Sequence, residues 1–294
     1  MERLEPEDLQ AGDILIFENN DFSAVDLLTN LMRDYNEKEY DDKMHTAFYL
    51  LLYLIPWFDP GDEGENYKNI YHTAIWANID LNRGKGEPEF ENRIVQIGRG
   101  GIVSDILPRT LGESTVKNVY VYRKTARPAG FEEKVNEATR AFYNDEKTPY
   151  SFETAWLLAV ICSLRYSDGT LHKMLEDRLG KTGTDLMVML IRSLINHYND
   201  KHQKKMVACS TLVAMIYKNA GFPVHIDALK RDQEIHLPSE LSFKADHLQA
   251  FDLPSNPQIP RIGVVETVVT PRQLAESPDV KLVGYFPHHT RIEG

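Results

Sequence analysis

Two cysteines, Cys162 and Cys209, among 294 residues are too few for a disulfide framework. They fit a reducing compartment, or one in which redox state does not matter. Basic charge is also short. Against 33 Lys and Arg stand 44 Asp and Glu, so the net charge is −11. No basic stripe offsets this balance, which argues against nucleic acid as a partner and against a polybasic grip on anionic lipid. Long apolar runs are missing too. The longest, AFYLLLYLIPWF at 47–58, falls short of the roughly 20 residues that span a bilayer, so no transmembrane segment is expected. The first residues, MERLEPEDLQAGDILIF, carry acids where a signal peptide carries bases. The expected location is therefore the cytoplasm, or export by a route that needs no such signal, as for a secreted effector.

Several motifs are absent as well. GRGGIV has the wrong glycine spacing for a dinucleotide fingerprint, and GKTGT lacks the P-loop spacing. There is no HExxH, no CxxC and no GxSxG, which removes the common zinc and serine-hydrolase signals. FDPGDEGENYKN has the look of a calcium loop. Counted from Asp59, however, its twelfth position is Ile70, where a bidentate carboxylate is required. No metal and no cofactor is expected.

What is present is an ordinary globular composition, 42% hydrophobic and 26% charged. Strands are predicted at 12–17, 69–79, 92–98 and 116–123, the last with clean alternation, and IVSDI follows the RGG turn as a further short one. Helices are predicted from Ser23, over 131–143, from Ser151, over TDLMVMLIRSLINHY and in MVACSTLVAMIYKNAG at 206–221. Beyond Gly221 the chain reads as proline-rich and irregular, with Thr270 and Pro271 as a cap and first-turn pair. The order implies an α+β fold, helices to one side of an antiparallel sheet. One domain, 1–294, is expected, with insertions at about 34–70 and 168–205 and a C-terminal extension from about 225.

Cys209 sits in the first turn of its helix, on the apolar face. A buried inert thiol has this pattern, and so does a nucleophile, because a helix N-terminus lowers a thiol pKa and offers free amides to an oxyanion. A nucleophilic thiol needs a base and a group to orient that base. Of ten histidines, His72 stands out inside the strand-like run IYHTAIW, either hydrogen-bonded in the core or facing a cleft; His45 is a rival base. Gln96, the polar residue of IVQIG, can fall beside His72 on an adjacent strand and accept from one ring nitrogen. Cys162 lies mid-helix among apolar residues and reads as structural.

The ordered series LQAGDILIF, FSAVDLL, YHTAIW, IVQIGRGGI, NVYVYR, TPYSFETA, CSTLVAMIYKNAG and VTPRQLAES resembles the permuted papain-fold amidases of the NlpC superfamily, in particular the YiiX- and YaeF-like branch. It covers most of 9–125, 148–167, 206–224 and 263–284. The resemblance implies a circularly permuted papain-like fold, an antiparallel sheet or barrel against a helical cluster with helical insertions. It implies Cys209 as nucleophile and His72 as general base, with Gln96 where the family often has glutamate. It also implies a weak pocket role for Tyr150. Thr211, where the branch often has glutamate, is implied to line the substrate pocket as well. The implied activity is a cysteine amidase or peptidase, with cell-wall peptide as the family's commonest substrate class. Two alternatives remain: a lipid-directed acyltransferase or phospholipase, with 47–58 as a peripheral membrane contact, and an inactive binding module.

Overall fold

The structure is a computed structural model. It describes residues 1–19, 70–98, 101–113, 115–145, 209–226 and 269–288, together with positions 173, 176 and 181. Tyr150, His45, Cys162, the run 47–58 and the helices expected from Ser23, from Ser151 and over TDLMVMLIRSLINHY lie outside the described residues.

The described chain is α+β. Six strands form one sheet: β1 (Ile14–Asn19), β2 (Ile70–Asp80), β3 (Phe90–Gly98), β4 (Gly101–Asp105), β5 (Val116–Lys124) and β6 (Val280–Pro287). Their spatial order is β4-β3-β2-β1-β5-β6, and every neighbouring pair is antiparallel. Four helices accompany them: α1 (Leu107–Leu111), α2 (Phe131–Asn144), α3 (Cys209–Asn219) and α4 (Pro271–Ala275).

Both faces of the sheet are covered, so the central strands read as near-continuous apolar runs rather than as alternation. On one face Ile14, Ile16, Ile75, Ala77 and Val95 pack with Phe131 and Val135 of α2 and with Leu212, Val213 and Ile216 of α3. On the other, Leu15, Phe17, Ile94, Val119 and Val121 pack with Leu107 and Leu111 of α1. The expectation of helices on one side therefore needs correcting, since α1 covers the opposite face. Helix α2 buries Phe131, Val135, Ala138, Thr139 and Tyr143, the stripe that a 3.6-residue period dictates. The described end of the tail is also more regular than its composition suggests. Val280–Pro287 is a full strand on the β5 edge, although Gly284 and Pro287 interrupt its pattern.

Two ties fix α3 against the sheet. At its C-terminal end Gly221 has φ +84°, and the Phe222 amide donates to Tyr217 O at 2.9 Å while the Gly221 amide donates to Lys218 O at 3.1 Å. This is a Schellman stop, and glycine adopts its left-handed residue without a Cβ penalty. The fully buried Tyr217 hydroxyl donates to the Gly12 carbonyl at the entrance to β1. At the N-terminal end Ser210 Oγ donates to Val269 O, and the Val269 amide donates to Thr211 Oγ1 at 3.1 Å. The next residue, Thr270, caps α4 reciprocally with Gln273. The TPRQLA segment thus braces the turn that carries Cys209.

Candidate functional site

Strand β2 carries His72 next to a bulge. Phe17 of β1 pairs with His72 but Glu18 pairs with Ile70, which leaves Tyr71 as the extra residue. Bulges re-aim side chains and are common beside functional sites. Here the bulge brings the Tyr71 ring to 6.1 Å from the imidazole, while Phe17 lies 5.1 Å away on the other strand. Two aromatic neighbours confine the ring of His72.

Strands β2 and β3 are paired from Asp80↔Phe90 to Ile75↔Val95 and then part. Continued, that register would set Ala74 opposite Gln96 and His72 opposite Gly98, so His72 and Gln96 are diagonal neighbours on one face. The bond expected between them is present: His72 Nε2 to Gln96 Oε1 is 2.8 Å. The amide oxygen can only accept, so Nε2 carries the hydrogen and Nδ1 is left with its lone pair.

The opening between β2 and β3 receives the first turn of α3. Cys209 is 7% exposed, and its thiol is in hydrogen-bonding contact with His72. With Nε2 committed to Gln96, the ring atom that remains for the thiol is Nδ1. A backbone donor completes the cradle. Trp76 exchanges both of its backbone hydrogen bonds with the β1 side, to Gly12 and Asp13. By alternation Ile75 and Thr73 direct theirs toward β3. Because β3 has turned away, the Thr73 amide donates to Cys209 Sγ instead.

Charge follows from this arrangement. Burial pushes the Cys209 thiol up, but the His72 charge, its hydrogen bond and the donors of Thr73 outweigh burial and bring the thiol down to about 7. Burial pushes the His72 imidazolium down, while the Cys209 thiolate, the hydrogen bonds to Cys209 and Gln96, and the Glu113 carboxylate raise it, with a net rise above 6.5. Each group holds the other charged, which is the condition for a thiolate–imidazolium pair.

Cys209, His72 and Gln96, singled out in the sequence, thus converge. Thr211 is buried, and its hydroxyl is occupied in holding the Val269 amide. Two contributors escaped sequence reasoning. Thr73 is visible only as a second polar residue in IYHTAIW, and Glu113 lies in an unremarkable loop after α1. Of the buried carboxylates, Asp13 is held by Arg123 at 2.7 Å, and Glu18 accepts from Tyr120 and Asn118 at 2.6 Å each, so both serve packing. Among the described residues no group of His, Cys, Asp or Glu side chains is arranged to hold a metal ion, and no helix is long and apolar enough to cross a membrane.

Comparison of the chain with protein families, curated proteins and solved structures found no match in any of the three.

Proposed function

We propose that the protein is a cysteine hydrolase of the permuted papain-like type, cleaving an amide or peptide bond through a thioester. The observation that carries this reading is the Cys209–His72–Gln96 array, in which a thiol lowered to about 7 meets an imidazole whose far nitrogen is held at 2.8 Å by an amide oxygen. Nδ1 of His72 takes the thiol proton, and the thiolate adds to the substrate carbonyl carbon. The Cys209 amide, in the first helical turn that the sequence pattern predicts, donates to the oxyanion. As the C–N bond breaks, the imidazolium returns its proton to the leaving amine. His72 then deprotonates a water, which attacks the thioester, releases the acid and restores the thiol.

The test is acid-quench mass spectrometry of the Cys209 peptide, with turnover, across peptide amides, cell-wall-type peptides and phospholipid vesicles. A peptide acyl adduct, and turnover lost in Cys209→Ala, is the expected result. Fatty acid release dependent on Cys209 would replace the amide bond with a lipid ester on the same machinery. No adduct and no turnover with any of these would overturn the enzyme reading and leave a binding module.

A further inference from the structure

Thr73 is fully buried on the helix side of β2, opposite Ile16 and beneath the first turn of α3. Its hydroxyl makes no well-aligned hydrogen bond among the described residues, yet it lies within reach of the Cys209 sulfur. Valine has the same shape and the same strand preference, and it would bury no polar atom. A buried hydroxyl with no aligned acceptor is the less stable choice at such a position. A thiol sulfur is a weak acceptor and a thiolate a strong one. The hydroxyl therefore gains a proper partner when Cys209 ionises.

We infer that Thr73 is a thiolate-positioning residue, whose hydroxyl and amide both donate to Cys209 Sγ and hold the nucleophile in its ionised form. The inference rests on the reading of Cys209 as a nucleophile paired with His72. Consecutive residues of one strand then divide the work. His72 takes the proton from one side of β2, and Thr73 receives the resulting charge from the other. Gln96 orients the base, and Thr73 does the corresponding work for the nucleophile.

The experiment is the pH profile of iodoacetamide alkylation at Cys209 in wild type, Thr73→Val, Thr73→Ser and Thr73→Ala, with thermal unfolding of each. In Thr73→Val the midpoint is expected to rise by about one unit. The higher nucleophilicity of a less acidic thiol offsets part of the lost thiolate, so the rate at pH 6 falls about threefold. Thr73→Ser keeps the donor and should track wild type. Thr73→Val should unfold at or above the wild-type temperature, since it loses a poorly bonded buried hydroxyl. A midpoint unchanged in both Thr73→Val and Thr73→Ala overturns the inference, as does lowered stability with unchanged titration, which would make Thr73 structural. Thr73→Ala supplies the reading if the valine variant does not fold. An ordinary midpoint near 8.5 in wild type itself would instead overturn the nucleophile reading beneath it.

Discussion

Replacing His72 with alanine removes the charge and the hydrogen bond that oppose the burial of Cys209, while the helix and its bracing at Val269 remain. In the intact site the thiol titrates at about 7, so half is thiolate at pH 7. Without His72 the midpoint should return at least to the ordinary thiol value of about 8.5, at which about 3% is thiolate at pH 7. That is a roughly fifteenfold loss of reactive species, and burial adds to it. A less acidic thiolate is a better nucleophile, by about fivefold over this interval, so the net fall in alkylation is about threefold at pH 7 and sixfold at pH 6. The midpoint is therefore a cleaner readout than any single rate. The assay is alkylation of the Cys209 peptide from pH 5 to 10, followed by mass spectrometry. The sign is definite: a depressed thiol pKa means reactivity that is present above about 7 and lost on acidification through it. A His72→Ala profile that still turns near 7 would refute the reasoning, because the depression would then come from the helix N-terminus and Thr73 alone.

Cys209→Ala should lower the His72 pKa from its wild-type value, since burial then acts with less opposition; ring-proton NMR against pH reads this directly, and an unchanged or higher value contradicts the mutual charging. Gln96→Ala frees the imidazole to rotate, so hydrolysis should drop by up to about a hundredfold. Its alkylation midpoint should rise by less than in His72→Ala, because the charge partner is retained; equal shifts would mean that Gln96 does more than orient. Gly12→Ala forces a side chain onto a residue at φ +90°, with the new Cβ 2.9 Å from Phe131 Cε1. A loss of about 1–3 kcal/mol in urea unfolding is expected, and a neutral result would show that the entrance to β1 can relax.

Local chemistry made much of the scaffold legible. GDILIF and IYHTAIW form β1 and β2 because β-branched and aromatic residues cluster there, and covered strands need no alternation. CSTLVAMIYKNAG is a helix that ends at Gly221, and TPRQLA is a capped turn, both by their own side chains and backbone freedom. Two elements escaped for local reasons. LPRTL is too short to display a helical period, and VKLVGYFP hides its strand among a glycine and a proline. The residue types at the site, a cysteine at a helix start and a histidine and a glutamine in neighbouring strands, were also readable. The Gln96–His72 contact was readable too, from adjacent strands that share a face; the geometry that brings Cys209 to them was not. It depends on β3 leaving β2 after Val95, on a bulge at Tyr71 and on Val269 pinning the first turn of α3. Each of these joins residues far apart in the chain, and no local propensity encodes such a contact. The same holds for Thr73. Alone it is a polar residue in an apolar strand, and it gains a role only because the departure of β3 lets a sulfur take the place of a backbone carbonyl.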